Sequence, residues 1–438
     1  MFRYYLQLGF RSLRRNPVLT VLMVITLSVG VAASMSTYTV LHMMSGDPIP
    51  HKSDRLFVPQ LDTGSMTGYT AGEEPADQLS YPDTQRLLAS GQGVRRTAIF
   101  GINDAITPER ADMAPLLANG GATTSDFFAM FEVPFRYGNP WHADDDARKT
   151  DVIVLARATS EKLFGDVDPV GRELKLGDAS YRVVGVLGDW KPLPRYYRII
   201  NGNGGAFAGS DEFFIPFSAA VRHEKRNSGN NNCNGDGPEP GYAGWIASDC
   251  TWIQFWFEGA NAADQATIKA WLDDYASEQR RLGWFKRPVN TRLRNTMQWL
   301  QHLEVVGRDS RIQVWLAFGF LLVCLVNTVG LLLAKFSARA GEIGVRRALG
   351  ATRREIFRQY LIEASVVGLV GAVLGLALSF AGLWLISKQS GAMAAVAKMD
   401  WSMLLATLLL SLLASLIAGF LPTWRACQVR PALQLKSQ

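Results

Sequence analysis

Apolar residues make up 48% of this 438-residue chain and are concentrated in four long stretches. Each stretch is free of charged residues: 16–46, 312–334, 364–387 and 401–424. A helix needs about 20 apolar residues, each adding about 1.5 Å, to cross a hydrocarbon core about 30 Å thick. All four stretches meet that length, and helices buried in soluble proteins seldom run so far without a charge. The pattern therefore predicts four transmembrane helices.

Basic residues mark the segments on one side of these helices. Residues 1–17, 335–363 and 425–438 together hold fourteen basic and three acidic side chains, and the positive-inside rule places such segments in the cytoplasm. Residues 47–311 hold 35 acidic and 29 basic side chains and are expected outside the cytoplasm. The net charge of +6 therefore follows from membrane topology, and it predicts no nucleic-acid partner.

The amino-terminal region is expected to be a retained anchor. Its apolar run, 18–41, is longer than the roughly 7 to 15 residues of a signal-peptide core, although the small residues at 32–34 leave a cleaved signal as the alternative. Within residues 2–15, apolar and basic residues separate onto two helical faces. This separation favours an amphipathic helix on the membrane surface over a plain cluster of charges.

The region between the first and second transmembrane helices predicts a mixed α and β domain. Residues 171–189 predict a β-hairpin that turns at Gly177-Asp178, and 264–282 predict a helix. Further strands are predicted at 151–156, 211–217 and 251–259. A last helix from about Asn295 is expected to continue unbroken, as a stalk, into the second transmembrane helix.

The fold class is therefore an α-helical membrane protein of four transmembrane helices, with a large mixed α+β extracytoplasmic domain between the first and second. The predicted layout is 1–17 interfacial helix, 18–43 first transmembrane helix, 44–293 external domain of two subdomains, 294–334 stalk and second transmembrane helix, 335–363 cytoplasmic coupling segment, 364–387 third transmembrane helix, 388–402 external turn, 403–424 fourth transmembrane helix and 425–438 cytoplasmic tail.

Two of the four cysteines, Cys233 and Cys250, lie in the external domain, where an oxidising compartment permits a disulfide. We expect them to pair, with two unpaired thiols as the alternative. Residues 141–146 (WHADDD) combine one imidazole with three carboxylates. Three consecutive Asp residues cannot all face one ion without a sharp loop, so a solvated acidic loop is the favoured interpretation and no metal site is expected.

A catalytic centre is not indicated. No G-x-x-x-x-G-K-[ST] phosphate loop occurs, and neither does G-x-S-x-G, H-E-x-x-H or C-x-x-C. The span interiors contain no carboxylate, lysine or arginine, and Cys324 contributes a thiol to the second of them, whereas ion-coupled carriers need charged groups at membrane depth. We therefore expect a non-catalytic membrane subunit without cofactors, whose energy is supplied by another chain.

The segment 334–364 is the most informative part of the sequence. It predicts a basic helical extension of the second transmembrane helix, a break at 349–352, and a second short helix with an apolar face (Ile356, Phe357, Tyr360 and Leu361). Gly350 suits a helix C-cap, and Thr352 with Glu355 has the pattern of a capping box. Such a helix could dock in a groove of a partner protein or bind lipid headgroups, and physical reasoning alone leaves both open.

This segment, AGEIGVRRALGATRREI, resembles the macrolide-exporter type (MacB/FtsX-like) of ABC transporter permeases. The resemblance extends to LGFRSLRRNPVLTVLMVITLSVGVAAS near the amino terminus, to VIVLARATSEKLFGDVDPVGRELKLGDASYRVVGVLGD in the external domain, and to PTWRACQVRPALQLK at the end. It implies a permease of the bacterial inner membrane, with a periplasmic core domain and both termini cytoplasmic. The insertions 201–210 and 227–241 depart from the family pattern.

The resemblance also implies the partners. A second copy or a sister permease would complete a dimer on two cytoplasmic ATPase subunits, which bind the ATP and magnesium; a periplasmic adaptor and an outer-membrane channel are possible further partners. ATPase contacts are carried over onto Glu342, Arg346, Arg347, Gly350, Thr352 and Arg353. Glycines expected at helix–helix contacts, rather than facing lipid, are Gly368, Gly371, Gly375 and Gly382.

Two functions follow from this resemblance. The first is export of a peptide, small molecule or lipid by mechanotransmission, in which ATP-driven closure of the dimer moves the periplasmic domain and no substrate crosses the membrane. The second is regulation, in which the external domain senses a ligand or controls a periplasmic hydrolase. A membrane-anchored enzyme would be a third class, but the sequence offers no catalytic constellation for it.

Overall fold

The structure is a computed structural model that describes residues 16–108, 113–200, 205–207, 209–233 and 237–428. The chain forms two compact units: a membrane-spanning unit, which comprises the described residues up to Ser45 and from Val306 onward, and an inserted domain, Gly46–Val305. The amphipathic helix predicted over 2–15 lies outside the described residues.

Fourteen helices are described, besides two short 3-10 turns. In chain order they are α1 (Pro17–Ser45), α2 (Tyr81–Ala89), α3 (Asp126–Met130), α4 (Ala143–Arg148), α5 (Arg157–Phe164), α6 (Phe217–Arg222), α7 (Gly241–Ala247), α8 (Asp264–Arg281), α9 (Thr296–His302), α10 (Arg308–Ser337), α11 (Ala340–Ala348), α12 (Arg353–Ser387), α13 (Gly391–Val396) and α14 (Trp401–Cys427). Four of them, α1, α10, α12 and α14, are long and apolar enough to cross a membrane. The four predicted transmembrane helices are thus present, and α13 adds a short helix within the segment predicted as a turn.

The inserted domain is built on one mixed sheet. Its described strands are β1 (Leu56–Leu61), β2 (Leu79–Ser80), β3 (Arg95–Thr107), β4 (Leu116–Thr123), β5 (Phe135–Gly138), β6 (Val152–Leu155), β7 (Glu173–Leu176), β8 (Ala179–Leu187), β9 (Phe213–Pro216), β10 (Thr251–Glu258) and β11 (Thr291–Asn295). The main order is β11-β1-β10-β3-β4-β9-β6-β8-β5, with β2 paired to β10 and β7 paired to β3 and β8. The predicted hairpin is β7–β8, in which Leu176 pairs with Ala179 across the Gly177-Asp178 turn.

Both faces of this sheet are covered. Along β10, Phe255 and Phe257 contribute to one hydrophobic cluster while Trp256 contributes to the other. Other strands of the sheet also place successive side chains on opposite faces, and Phe213 and Phe214 of β9 belong to opposite clusters. Because hydrophobic clusters cover both faces of the sheet, all eight residues of β10 are buried, including its polar residues Thr251, Gln254 and Glu258.

The sequence-based prediction of a continuous stalk is wrong. Helix α9 ends at His302 and α10 begins at Arg308. Between them, Glu304 has a positive φ of 45°, and Leu303 and Val305 pack against the hydrophobic cluster that contains Trp299. Packing of these side chains and a left-handed residue are incompatible with an uninterrupted helix, and Gly307, which directly precedes α10 as its N-cap residue, is the sequence signal for the break.

The structure of the acidic run at 144–146 also differs from the predicted loop. These residues form the first turn of α4, instead of a solvated loop. The Asp146 carboxylate accepts hydrogen bonds from the backbone N–H of Ser125, at 2.7 Å, and from Trp141 Nε1, at 3.1 Å. Burial raises the pKa of Asp146, although these hydrogen bonds oppose the rise. Acidic residues in a first helical turn interact favourably with the helix dipole, which gives the run a structural role.

A disulfide joins Cys233 and Cys250 in the structure. Beside it, the backbones of Asn232 and Thr251 exchange two hydrogen bonds, at 2.8 and 3.1 Å. The bond closes a loop between residues 17 apart in sequence, and this loop includes α7, whose Trp245 ring stacks on Trp252 at a centroid distance of 4.2 Å. The loop is therefore anchored at its carboxyl end to the start of β10, an interior strand of the sheet.

We expect replacement of both bridging cysteines by serine to lower the free energy of unfolding of the inserted domain by about 3 kcal/mol, because the open loop gains conformational entropy in the unfolded chain. The non-reduced, unfolded wild-type protein should carry two free thiols, those of Cys324 and Cys427. A count of four thiols by a chromogenic thiol reagent would contradict the bond.

Candidate coupling site

The basic segment 335–363 contains a separate short helix, α11. The predicted extension of the second transmembrane helix is wrong, because α10 ends at Ser337 and α11 begins at Ala340. Arg339 lies at the break, with a non-helical backbone (φ −106°, ψ 12°). Ile343 of α11 is buried in the same hydrophobic cluster as Met23 of α1 and Leu332 of α10. The packing of Ile343 against these neighbours favours a break in the helix at Arg339, although the local sequence would allow the helix to continue.

Gly350 and Thr352 set the turn that follows α11. Gly350 has a φ of 99°, which residues with a Cβ rarely adopt, and the N–H of Ala351 donates to the carbonyl of Arg346 at 3.0 Å. The Thr352 hydroxyl accepts from the N–H of Glu355 at 3.3 Å, and the Glu355 carboxylate accepts from the N–H of Thr352 at 2.9 Å. These contacts form the C-cap and the capping box whose patterns the sequence contains.

Helix α12 begins directly after this capping box and continues for 35 residues. The predicted second short helix is therefore the first part of the third transmembrane helix. Its apolar face does not point outward, because Ile356 and Tyr360 are buried and the Tyr360 ring lies 4.5 Å from that of Phe336 on α10. This face packs within the bundle, so it is available neither to a partner groove nor to lipid headgroups, the two alternatives that the sequence left open.

An exposed surface instead lies at the tip of the segment. Leu349 is 82% exposed and Val345 is 48% exposed, although both are large and apolar. Arg353 is exposed beside them in sequence, and Arg347 is partly buried. Arg346 is held on one side by Glu342, at 2.7 Å, and on the other by the Gln359 side-chain oxygen, at 3.1 Å. The sequence prediction included the charged residues of this surface and missed Leu349 and Val345.

A buried ion cluster lies at the base of the coupling segment. Lys335 on α10 donates to Glu363 on α12 at 2.7 Å, and Arg339 reaches the same carboxylate at 3.3 Å. Lys335 Nζ also lies 3.4 Å from the hydroxyl of Thr20 on α1. The side chains of Lys335 and Glu363 are at most 3% exposed. The cluster therefore joins three transmembrane helices and the linker that leads into α11.

The sequence carried a signal for this cluster. Lys335 directly follows the charge-free stretch 312–334, and Glu363 directly precedes the charge-free stretch 364–387. Two antiparallel helices whose apolar stretches end at the same membrane boundary bring such flanking charges to the same level. Each residue alone resembles the charged residues that commonly flank a transmembrane helix. Only the packing of α10 against α12 shows that Lys335 and Glu363 form a pair.

The four predicted packing glycines all face neighbouring helices. An added Cβ at Gly368 would overlap the Ser415 side chain of α14. At Gly371, Gly375 and Gly382 it would meet, respectively, Leu27, Ser28 and Ser36 of α1 at 3.1 to 3.3 Å. The Ser28 hydroxyl also donates to the carbonyl of Gly371 at 3.0 Å. This close approach lets serine hydroxyls bond to backbone carbonyls across helices.

The inserted domain contains a second buried charge cluster, around Asp211. Its carboxylate contacts Arg198 directly, lies 3.5 Å from Arg195, and accepts from the Tyr197 hydroxyl at 2.8 Å. Burial alone would raise the pKa of Asp211, but Arg198 and Arg195 outweigh it and lower the pKa below its ordinary value. Among the described residues, no group of three or more His, Cys, Asp or Glu is arranged to hold a metal ion.

Comparison with known proteins agrees with this architecture. The chain matches the model of the MacB-like periplasmic core domain over residues 20–307 and that of the FtsX-like permease C-terminal region over residues 314–431. The architecture and these matches define a membrane permease with an inserted core domain. The chain belongs to the MacB/FtsX-like family of ABC transporter permeases.

Several curated relatives are similar over most of this chain. It is 25% identical over 377 residues to a pyoverdine export ATP-binding/permease protein, PvdT, of Pseudomonas fluorescens, covering 85% of this chain and 50% of that protein. It is 23% identical over 399 residues to a macrolide export ATP-binding/permease protein, MacB, of Bdellovibrio bacteriovorus, covering 88% and 55%. The chain thus spans about half the length of these relatives.

A solved structure is also similar, the periplasmic region of MacB from Actinobacillus actinomycetemcomitans. It is 13% identical, has a TM-score of 0.37, and covers 58% of this chain and 95% of that one.

Proposed function

We propose that this protein is the permease subunit of an ABC transporter that works by mechanotransmission. ATP would be hydrolysed, with magnesium, by a separate ATPase subunit, and α11 would transmit the motion of that subunit to the transmembrane helices. The carrying observation is the arrangement of the coupling segment. Ile343 and the Glu363 cluster fix its base in the bundle, while Leu349 and Arg353 at its tip are exposed.

An exposed apolar side chain that is flanked in sequence by arginines is suited to a partner groove with an apolar floor and an acidic rim. Large apolar residues anchor interfaces, and surrounding charges guide association and register. A helix bound only to lipid headgroups would gain most by turning its largest apolar face to the membrane. In α12 that face, with Ile356 and Tyr360, is already occupied inside the bundle, which favours a protein partner.

The interior of the bundle supports motion without conduction. Polar side chains within the spans, such as Ser34, Ser379 and Thr407, donate hydrogen bonds to backbone carbonyls at 2.7 to 2.9 Å. Among the described residues, the charged side chains Lys335 and Glu363, buried between the transmembrane helices, lie at one end of the bundle and bind each other. These contacts suit helices that move as levers.

We place the basic segments in the cytoplasm and the inserted domain in the periplasm of a bacterium with an inner membrane. A second permease copy or a sister permease completes the dimer in this proposal, and an adaptor and outer-membrane channel carry cargo onward. The names of the relatives, pyoverdine export and macrolide export, favour a small-molecule cargo. A regulatory role in the manner of FtsX is the second candidate.

The docking role predicts a defined effect of charge reversal. The chain would be co-expressed with its cognate ATPase, and complex recovery and ATPase stimulation measured. We expect Leu349→Asp with Arg353→Glu to lower both at least tenfold, because an apolar anchor and a rim charge are lost together. The double variant Arg346→Glu, Arg353→Glu tests, in the same assay, the two arginines that the family resemblance assigns to the ATPase contact. We expect it to lower complex recovery and ATPase stimulation as well.

A control for the charge reversal is Lys398→Glu, which makes the same charge change as Arg353→Glu on an exposed side chain in the segment between α12 and α14. It should leave recovery and stimulation unchanged. If the Leu349→Asp, Arg353→Glu variant folds, as judged by its elution and melting temperature, and still stimulates the ATPase fully, the docking assignment is wrong.

A further inference from the structure

A polar cavity of about 310 Å³ lies in the inserted domain, beside the Asp211 cluster. Two residues of its wall, Asn103 on β3 and Asn119 on β4, lie opposite each other in the sheet. The other described residues of the wall are serine, glutamate, arginine and glycine. Small-molecule sites usually have predominantly apolar walls, so this polar one suits a ligand with hydrogen-bonding groups over most of its surface.

The cavity wall includes both inserted segments that depart from the family pattern. Gly209 and Ser210 come from the first of these segments and Ser228 from the second. The N–H of Ser228 donates to the carbonyl of Gly101 on β3 at 2.8 Å, which fixes the second segment to the sheet. An added Cβ at Gly101 would lie 2.8 Å from the Ser228 hydroxyl oxygen, so the glycine makes room for this approach. The cavity therefore depends on residues particular to this chain.

Arg195 forms part of the wall and is incompletely paired. Its side chain is only 4% exposed. Nη1 donates to the carbonyl of Gly209 at 3.0 Å and lies 3.5 Å from the Asp211 carboxylate. Within the part of the chain that the structure describes, Nε and Nη2 have no hydrogen-bond partner. Buried donors without a partner are costly, most of all on a charged group, so Arg195 lacks an acceptor that a ligand can supply.

The two unpaired donors define the acceptor that fits. Nε–H and Nη2–H project from the same edge of the planar guanidinium, and the two oxygens of a carboxylate match this edge with two parallel hydrogen bonds. A single hydroxyl or carbonyl oxygen would satisfy this edge less well. The third nitrogen, Nη1, is already held by Gly209, which fixes the orientation of the fork.

The charges in and beside the cavity limit the ligand to a small negative charge. Arg195 and Arg198 contribute two positive charges, and the carboxylates of Asp211 and Glu212 contribute two negative ones. The Glu212 carboxylate accepts from the N–H of Asn119 at 2.7 Å and remains in the wall. One carboxylate on Arg195 is therefore compensated locally, whereas a phosphate carries more than one negative charge at neutral pH and would be repelled by Glu212.

From these observations we propose that the cavity binds a small hydroxy acid of the sugar-acid class, with its carboxylate on the Nε and Nη2 edge of Arg195. The ligand hydroxyl groups bond to the side chains of Asn103, Ser210 and Ser228 and donate to the Glu212 carboxylate. The site goes beyond the proposed function, because it lies wholly within the inserted domain and its occupation requires no ATPase.

The test is isothermal titration calorimetry of the full chain in detergent, without the ATPase. The probes are D-gluconate, D-sorbitol, which has the same carbon chain with a hydroxymethyl group in place of the carboxylate, and inorganic phosphate. We expect saturable binding of gluconate, and binding of sorbitol at least about tenfold weaker, because two charge-assisted hydrogen bonds are lost. Phosphate should also bind at least about tenfold more weakly than gluconate, because its additional charge is not compensated.

Two variants assign the binding to this cavity. Arg195→Lys keeps the charge and removes the fork, and it should weaken gluconate binding at least about tenfold. Asn103→Trp leaves the buried cluster intact and fills the cavity from an exposed position on β3, so it should abolish binding. Thr107→Trp is the matched control, because Thr107 is exposed on the same strand and lies outside the cavity wall. Its affinity for gluconate should equal that of the wild type.

Four results would overturn the inference. The first is the absence of saturable gluconate binding below about 10 mM, and the second is equal affinity for gluconate and either sorbitol or phosphate. The third is unchanged affinity in a folded Arg195→Lys or Asn103→Trp variant, and the fourth is equal loss in Asn103→Trp and Thr107→Trp. Because the ATPase is absent from the titration, these results leave the test of the coupling site independent.

Discussion

Glu363→Ala should lower the free energy of unfolding of the membrane-spanning unit by about 3–5 kcal/mol, the largest effect expected in that unit. The substitution removes the carboxylate that Lys335 and Arg339 share and leaves the Lys335 ammonium, which is fully buried, without a counter-charge. The variant should therefore melt at a lower temperature in detergent, which intrinsic fluorescence or light scattering would measure.

The matched control is Glu342→Ala, which breaks the pair with Arg346. That pair has the same 2.7 Å separation, but its side chains are 34% and 43% exposed. Exposed pairs contribute about 1 kcal/mol or less, so the control should melt close to the wild type. If the melting temperatures of Glu363→Ala and Glu342→Ala fell by the same amount, burial would not be what makes the Glu363 cluster contribute more to stability than an exposed ion pair.

A compensating variant separates charge from packing. Lys335→Met with Glu363→Leu replaces both charges by apolar side chains of similar length and should recover most of the stability, since buried ion pairs are often replaceable by packed apolar groups. If the cluster also transmits motion from α11 to α12, this double variant should remain stable and yet show reduced ATPase stimulation. Full recovery of both would limit the cluster to a structural role.

The parts of the fold that the sequence predicted are those governed by local or strongly periodic signals. Charge-free length alone defines α1, α10, α12 and α14, because the bilayer imposes the same requirement on every transmembrane helix. The β7–β8 hairpin follows from Gly177, whose φ of 60° suits the turn. The cap at Thr352 follows in the same way from a four-residue pattern.

The parts that were not predicted depend on tertiary contacts. The break before α11 occurs at Arg339 without Gly or Pro, where an ion pair with Glu363 holds the side chain. The break before α10 includes Gly307, but the left-handed residue within it, Glu304, is set by the packing of Leu303 and Val305. The exposure of Leu349 also depends on tertiary contacts, because packing of α11 against the bundle decides which of its side chains face outward. Sequence periodicity made the face with Ile356 and Tyr360 a candidate for docking or for lipid binding, and only the packed bundle shows that this face is already occupied.

Asp211→Ala should lower the free energy of unfolding of the inserted domain by about 3–5 kcal/mol, as Glu363→Ala does for the membrane-spanning unit. Two buried guanidinium groups, of Arg195 and Arg198, share this carboxylate, and the Tyr197 hydroxyl donates to it. The measurement is hydrogen exchange of peptides from β9 in the full chain, where faster exchange reports a lower opening free energy. Asp189→Ala is the control, because its pair with Lys191 is more than 70% exposed and should leave exchange unchanged.

The pH dependence gives an independent check. Because the pKa of Asp211 is lowered on folding, its contribution is complete above the ordinary carboxyl value of about 3.9 and is lost only as the pH falls through the lower, folded value. The stability difference between wild type and Asp211→Asn should therefore be constant from pH 8 to pH 5. A difference that shrank within this range would mean that the carboxylate takes up a proton there, so the arginines would not be holding it ionised.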